Sequence, residues 1–460
     1  MCKTKSNLLP KRTIAMLSLK LLAGLLLVVC LPATAASEPD QFTGTYKGEL
    51  VLNETSSLPL QLNLKLNQSG DLVATLDSPA QGSFGIPVDQ VDVDSSKLSF
   101  SSDIIQASFV GQSNDSDCYH GQFTQGQQFP LTLCPGDATA ESEQKTASEQ
   151  LAEHMAEVAI IELVDNEWQV TKQSYNIDSG KQFEIGSVSK TMVAFLLANS
   201  IQQGQLPTEQ TVGDVWPEAN QDVADIKLID LATHHSGLPR LPDNLLNQNQ
   251  TLDNINDPYA AYGLERLQQA LQQTTVAPDV TYQYSNFGYG LLAETMAKVH
   301  QTTFKDLIQS ELFEPLKMTN TGLAIKPNQY SNLIAGHRID GESVPHWHFD
   351  ALAGAGAVVS TVDDMVNYLK ALMQPNQNWQ PVVDRLLTPQ HTLSPGTAQG
   401  LAWILEGYKE KTLVWHNGQT AGFSSFVGFT SDSKRGVIIL SNQARTVTNL
   451  GKRLLVEAVR

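Results

Sequence analysis

Phe183-Glu184-Ile185-Gly186-Ser187-Val188-Ser189-Lys190-Thr191 is the stretch on which the reading of this chain turns. It carries Ser-x-x-Lys, and an apolar run over residues 192–200 follows at once. If that run is helical, Ser187 stands at its start and Lys190, three residues on, shares its face. The amine then lies within reach of the Ser187 hydroxyl. A weak oxygen nucleophile needs such a fixed neighbour to take its proton. The unpaired N–H groups of the helix N-terminus would face the place where an oxyanion forms. The four-residue pattern alone is weak. It recurs at Ser142/Lys145 in a polar Glu/Gln/Ser stretch, and at Ser431/Lys434 in a segment that reads as a turn between strands. Only the middle copy opens an apolar helix, the context the chemistry requires.

Two further elements lie downstream. Tyr284-Ser285-Asn286 precedes another apolar helical run, whereas its repeat, Tyr330-Ser331-Asn332, lies in a polar loop. A cation beside a phenol favours the phenolate, so Tyr284 is a candidate to take the serine proton and pass it to a leaving group. The plainer alternative is a partly buried aromatic with a hydrogen-bonded hydroxyl. His235-Ser236-Gly237 lies in a turn-like segment, and His416-Asn417-Gly418 ends a strand expected over residues 412–415. That strand edge can offer N–H groups to an oxyanion, and Gly418 permits close backbone approach. By itself, a histidine at a strand end is an ordinary hydrogen-bonding residue.

In this order, Ser187/Lys190, Tyr284/Asn286 and His416/Gly418, the elements make residues 151–460 resemble the serine β-lactamase superfamily. Within it, the resemblance is to class C β-lactamases, the related DD-peptidases and the family's esterases. It is carried by residues 183–190, by Leu231-Ala232-Thr233-His234-His235-Ser236-Gly237-Leu238-Pro239, and by residues 284–292 and 416–425. The resemblance implies that Ser187 is the nucleophile, that Lys190 shares its proton network and that Tyr284 is general base and acid. It implies that Asn286 holds a substrate amide, with His416, Asn417 and Gly418 as further substrate-binding residues. It also implies an oxyanion hole of the backbone N–H groups of Ser187 and Gln419. One position departs: class C enzymes usually carry Lys-Thr-Gly where this chain has His416-Asn417-Gly418. A histidine titrates near ~6.5, so a substrate carboxylate should be attracted less at neutral pH. Efficient β-lactamase activity is therefore less expected than esterase or DD-peptidase-like acyl transfer.

The rest of the chain sets the frame. Residues 1–35 read as a secretory signal peptide: Lys3, Lys5, Lys11 and Arg12, the apolar run 21–31, then Ala33-Thr34-Ala35. That run is shorter than the roughly 20 residues that span a bilayer. A lipoprotein signal ending at Cys30, which would put the protein on a membrane, is disfavoured by the bulky Val29. Export to the periplasm or beyond is expected. Of the four cysteines, Cys118 and Cys134 lie outside the leader, and in an exported chain they suggest one disulfide. Residues 36–136 read as an all-β barrel or sandwich, with Leu60, Leu62, Leu64 and Leu66 alternating with polar residues. Residues 77–88 resemble part of a small β-domain that precedes some exported hydrolases. Residues 137–150 read as a linker. In the remainder, strands at both ends enclose helices expected over 191–203, 258–273, 288–300, 304–312 and 362–373. That order suggests an α+β fold, an α/β sandwich with an antiparallel sheet and an inserted helical region.

The net charge of −18 argues against nucleic acid as a partner. His234, His235, His346 and His348 form the close histidine pairs, and no carboxylate accompanies them at a zinc-like spacing. No metal or cofactor is expected. The function expected is hydrolysis of an ester or amide, in a small molecule or peptide, through a Ser187 acyl-enzyme. The alternative is a binding or structural protein that keeps the fold without catalysis.

Overall fold

The leucine alternation at 60–66 becomes the strand Ser56–Leu66, with Leu60, Leu62 and Leu64 buried. The computed structural model describes residues 42–456 except 54–55, 68–69, 79–82, 103–104, 106, 114–117, 126, 137–146, 246–256, 277–280, 395 and 409. The leader with Cys30, the Ser142/Lys145 pair and most of the expected linker lie outside the described residues.

Nine strands from Gly44–Asn53 to Gln127–Pro135 form one antiparallel sheet. Strands adjacent in sequence pair with one another except the fourth and fifth, and the first also pairs with the last. The sheet's two edges, Ser83–Val88 and Gln90–Val93, are joined by Asp89 alone. This is a barrel-like meander rather than a sandwich. Its interior is filled by side chains, among them Leu62, Phe100, Phe109, Phe123 and Leu133. Cys118 and Cys134 are disulfide-bonded and tie neighbouring strands. The link stabilises the sheet by about 3 kcal/mol on a loop-entropy argument.

The second sheet has eight antiparallel strands. Their order is Glu167–Tyr175, Ala156–Val164, Arg435–Ser441, Ser424–Thr430, Lys411–Gln419, Ile404–Tyr408, Thr397–Gln399 and His391–Ser394. It opens with a hairpin whose two turn residues, Asp165 and Asn166, both have positive φ, the geometry that matches strand twist. The last strand of the chain pairs with the first strand of this sheet. One face carries Ala147–Leu151 and the closing helix Thr448–Val456, through Leu151, Leu413, Phe426, Ile439 and Leu454. The other carries Val362–Met373 and the inserted helical region. Ser424–Thr430 is buried at all its residues, as a strand covered on both faces must be.

Two expectations are corrected. The helix expected over 258–273 begins only at Leu264, because Pro258 and Gly263 leave the preceding residues in turns. The helix Gln380–Leu387 and the three short strands from His391 to Tyr408 were not anticipated. Strands this short carry too few residues for a period to declare itself.

Candidate active site

The helix Ser189–Gln202 that follows Ser187 is apolar on every side, and Ser189 to Ser200 are buried without exception. A helix hydrophobic all round belongs in the centre of a domain. Ser187 lies in the single 3-10 turn Gly186–Val188 that leads into it. Gly186 has φ of 51°, and a Cβ there would lie 2.8 Å from the Gln419 nitrogen. At Gly418 a Cβ would lie 2.0 Å from the Ile185 carbonyl oxygen. Two glycines thus let the serine turn press directly on the strand end, where Gln419 sits beside Ser187.

Lys190 is fully buried. Its Nζ lies 3.0 Å from Ser187 Oγ, 2.9 Å from Asn286 Oδ1 and 2.5 Å from the Ala355 carbonyl. Burial, with the charge of Arg240 as a second cause, pushes its pKa well below the ordinary lysine range. A neutral amine has two N–H groups and one lone pair. In that form the amine gives its two hydrogens to Asn286 Oδ1 and the Ala355 carbonyl and keeps its lone pair for Ser187; as an ammonium it donates to all three.

Asn286 is the first residue of the helix Asn286–Val299, and its amide Nδ2 donates to the Tyr259 hydroxyl at 3.1 Å. Ser285 caps that helix through Gly288 N–H, at 2.8 Å. Tyr284, just before the cap, is held against the Ser187 hydroxyl, with Lys190 Nζ 4.9 Å from its ring centroid. The sequence led us to expect a cation pulling this phenol toward phenolate. Burial dominates instead and raises its pKa, so Tyr284 keeps its proton.

His416 also differs from expectation, in degree. Burial, reinforced by Lys190, lowers its pKa to about 3. Its Nδ1 lies 2.6 Å from the Asn417 carbonyl, so the neutral ring donates there. Asn417 is corrected. In a strand, alternate side chains face opposite ways. His416 and Gly418 face the serine turn, and Asn417 faces the closing helix, its amide donating to Thr448 Oγ1 at 3.0 Å.

Several neighbours were not legible beforehand. His234 stacks on Tyr284 at 4.3 Å, and its Nδ1 accepts the Ser285 N–H. Tyr259 and Phe349 stack at 4.7 Å and, with Trp347, wall the narrow cleft above Ser187. Arg240 lies on the Tyr284 ring, its Cζ 5.1 Å from the centroid. The second copies of each motif stay apart from this site. Tyr330 donates to the Leu323 carbonyl and Asn332 to that of Gly180, bracing a loop. His235 stacks on His391, and Ser431 and Lys434 sit in the turn between two strands. His348 pairs with Asp257 at 2.6 Å, and among the described residues no group of three ligand-type side chains is placed to hold a metal.

The family model described as Beta-lactamase matches residues 144–459. A beta-lactamase of Escherichia coli K12 is 26% identical over 301 residues, 57% of this chain and 75% of that protein. An unguisins hydrolase of Aspergillus campestris is 22% identical over 312 residues, 62% of this chain and 57% of its own. Among solved structures, a beta-lactamase/D-alanine carboxypeptidase of Pseudomonas syringae superposes with a TM-score of 0.58 at 19% identity, covering 68% of this chain and 97% of that one. A class C beta-lactamase superposes with a TM-score of 0.57 at 21% identity, covering 68% and 94%. At such identity the structural likeness is one of fold.

Proposed function

The chain belongs to the Beta-lactamase family, and on that premise we propose that it is an exported serine hydrolase that cleaves an ester or amide through an acyl-enzyme on Ser187. The observation that carries this reading is the placement of Lys190. Burial pushes its amine toward the neutral form, Asn286 and the Ala355 carbonyl engage it, and its Nζ stands 3.0 Å from Ser187 Oγ. In the first step the Ser187 proton moves to Lys190 while Oγ bonds to the substrate carbonyl carbon. The carbonyl oxygen gains the charge and is received by the N–H groups of Ser187 and Gln419. Collapse breaks the bond to the leaving group. Tyr284 gives that group its proton, and the ammonium of Lys190 returns a proton to the Tyr284 oxygen. Water then repeats the sequence on the acyl carbon and releases the acid.

The substrate follows from the third element. His416 stays neutral and adds no charge at the third element, where class C enzymes usually carry a lysine, so activated esters should be better substrates than β-lactams. Export rests on the leader-like residues 1–35 and on the disulfide, a bond that persists in oxidising compartments. Steady-state kinetics on nitrophenyl esters and a chromogenic cephalosporin test the substrate reading. A cephalosporin turned over as well as the best ester would overturn it, and the serine assignment would stand.

A further inference from the structure

A cleft that takes anionic substrates needs accessible positive charge, and two basic residues of the site do not provide it. His416 is buried and neutral. Lys190 is sealed in by Ser187, Asn286 and the Ala355 carbonyl. Arg240 is different. It is exposed, and its guanidinium carbon lies 5.1 Å from the centroid of the Tyr284 ring. Among the described residues no carboxylate pairs with it, and no hydrogen bond engages its side chain. Its backbone is nevertheless fixed. The Arg240 carbonyl accepts the N–H groups of Asn286 at 2.9 Å and Phe287 at 3.2 Å, at the start of the helix that carries Asn286. The Ser285 hydroxyl donates to the adjacent Pro239 carbonyl at 2.7 Å. Ser285, Asn286 and Phe287, the residues that follow Tyr284, therefore hold the root of this arginine.

We infer that Arg240 is a specificity-determining residue, which selects substrates bearing a carboxylate by binding that group at the mouth of the cleft. A guanidinium lying on an aromatic ring keeps the N–H groups of its edge free, and their fork matches the two oxygens of a carboxylate. The inference rests on the Ser187 reading and deepens it by naming the substrate class. The carboxylate can stand on the acyl group or on the leaving group, and the choice of probe distinguishes the two.

The probes are two matched pairs of chromogenic esters. One pair is 4-nitrophenyl hydrogen succinate and its methyl ester, with the charge on the acyl group. The other is 3-carboxy-4-nitrophenyl acetate and 4-nitrophenyl acetate, with the charge on the leaving group. Arg240→Gln should lower kcat/KM on the charged member of one pair about ten-fold, mainly through KM, the size of a ~1.4 kcal/mol contact. The neutral partner should lose much less, Arg240→Lys should restore part of the loss, and high salt should shrink it. The pair that responds locates the carboxylate. An equal loss on charged and neutral members would mean that Arg240 acts on Tyr284, and no loss on either pair would mean that it is idle; both outcomes overturn the inference. Labelling of each protein with a fluorophosphonate separates this from failure of the underlying reading. A wild-type protein that neither labels nor hydrolyses these esters refutes the Ser187 reading, and the role of Arg240 falls with it.

Discussion

At the scale of single residues, burial decides the protonation states. Burial pushes Lys190, Tyr284 and His416 each toward the neutral form, which in the proposed reaction sets a base beside an acid. Lys190→Ala and Tyr284→Phe should each cost 10²–10⁴-fold in kcat, in the range of a lost proton relay, and the double variant should be little worse than either. Additive losses would show that they act independently. The same burial shapes stability against acid. His154, His234 and His416 are held neutral, mainly by burial, below their ordinary value of 6.5. As pH falls below 6.5 the unfolded chain takes up protons that the fold refuses. Each histidine then costs about 1.4 kcal/mol per pH unit until its own folded value is reached. Glu184 and Glu294 act in the opposite sense: burial raises both to about 7 from an ordinary 4.5, so the fold binds their protons first and gains stability over that window. Three losses face two gains down to 4.5, and below it the gains end. Urea midpoints should therefore decline gently from pH 6.5 to 4.5 and steeply beneath. A steep decline already above about pH 5.5 would show Glu184 and Glu294 ionised in the fold. Ser187, Lys190, Tyr284 and Asn286 were legible in the sequence because helix spacing and short motifs fix them locally. Arg240, His234, Tyr259 and the Ala355 carbonyl were not, because only the tertiary fold brings them to the serine.

At the scale of elements, the strand Lys411–Gln419 shows how much a period of two contains. Its alternation alone separates His416 and Gly418 from Asn417, although all three were expected to touch substrate. Asn417→Ala removes one partly exposed contact to Thr448. It should lower stability by about 1 kcal/mol and leave ester turnover near wild type. Gly418→Ala places a methyl 2.0 Å from the Ile185 carbonyl and must push the serine turn off the strand. Its kcat should fall at least as far as that of Lys190→Ala, since a displacement of 1 Å can cost ~10²-fold. Turnover lost in Asn417→Ala and kept in Gly418→Ala would reverse the assignment of faces. The nucleophile helix was readable because its apolar run is long. The π-helical turn Gln309–Phe313 and the edge strands after Gln380 were not, since packing rather than local pattern shapes them.

At the scale of the whole molecule, the barrel-like sheet and the eight-stranded sheet have separate cores. The boundary expected at residue 151 is set too late. Ala147 and Leu151 are buried against the closing helix and the sheet, so the helix Ala147–Leu151 belongs to the second unit. A chain starting at Gln144 should fold and keep ester hydrolysis, whereas one starting at Ala152 should be markedly less stable, having lost two buried side chains and the cover of one sheet face. Thermal unfolding of the two truncations checks this, and equal stability would place the boundary back at 151.

The central claim is that Ser187 forms the covalent intermediate. Its most direct test is peptide mass spectrometry of the wild-type protein after reaction with a fluorophosphonate. The adduct should sit on the peptide containing Ser187, and Ser187→Ala should carry none. Label on Ser431 or another residue, or an adduct that persists undiminished in Ser187→Ala, would contradict the account.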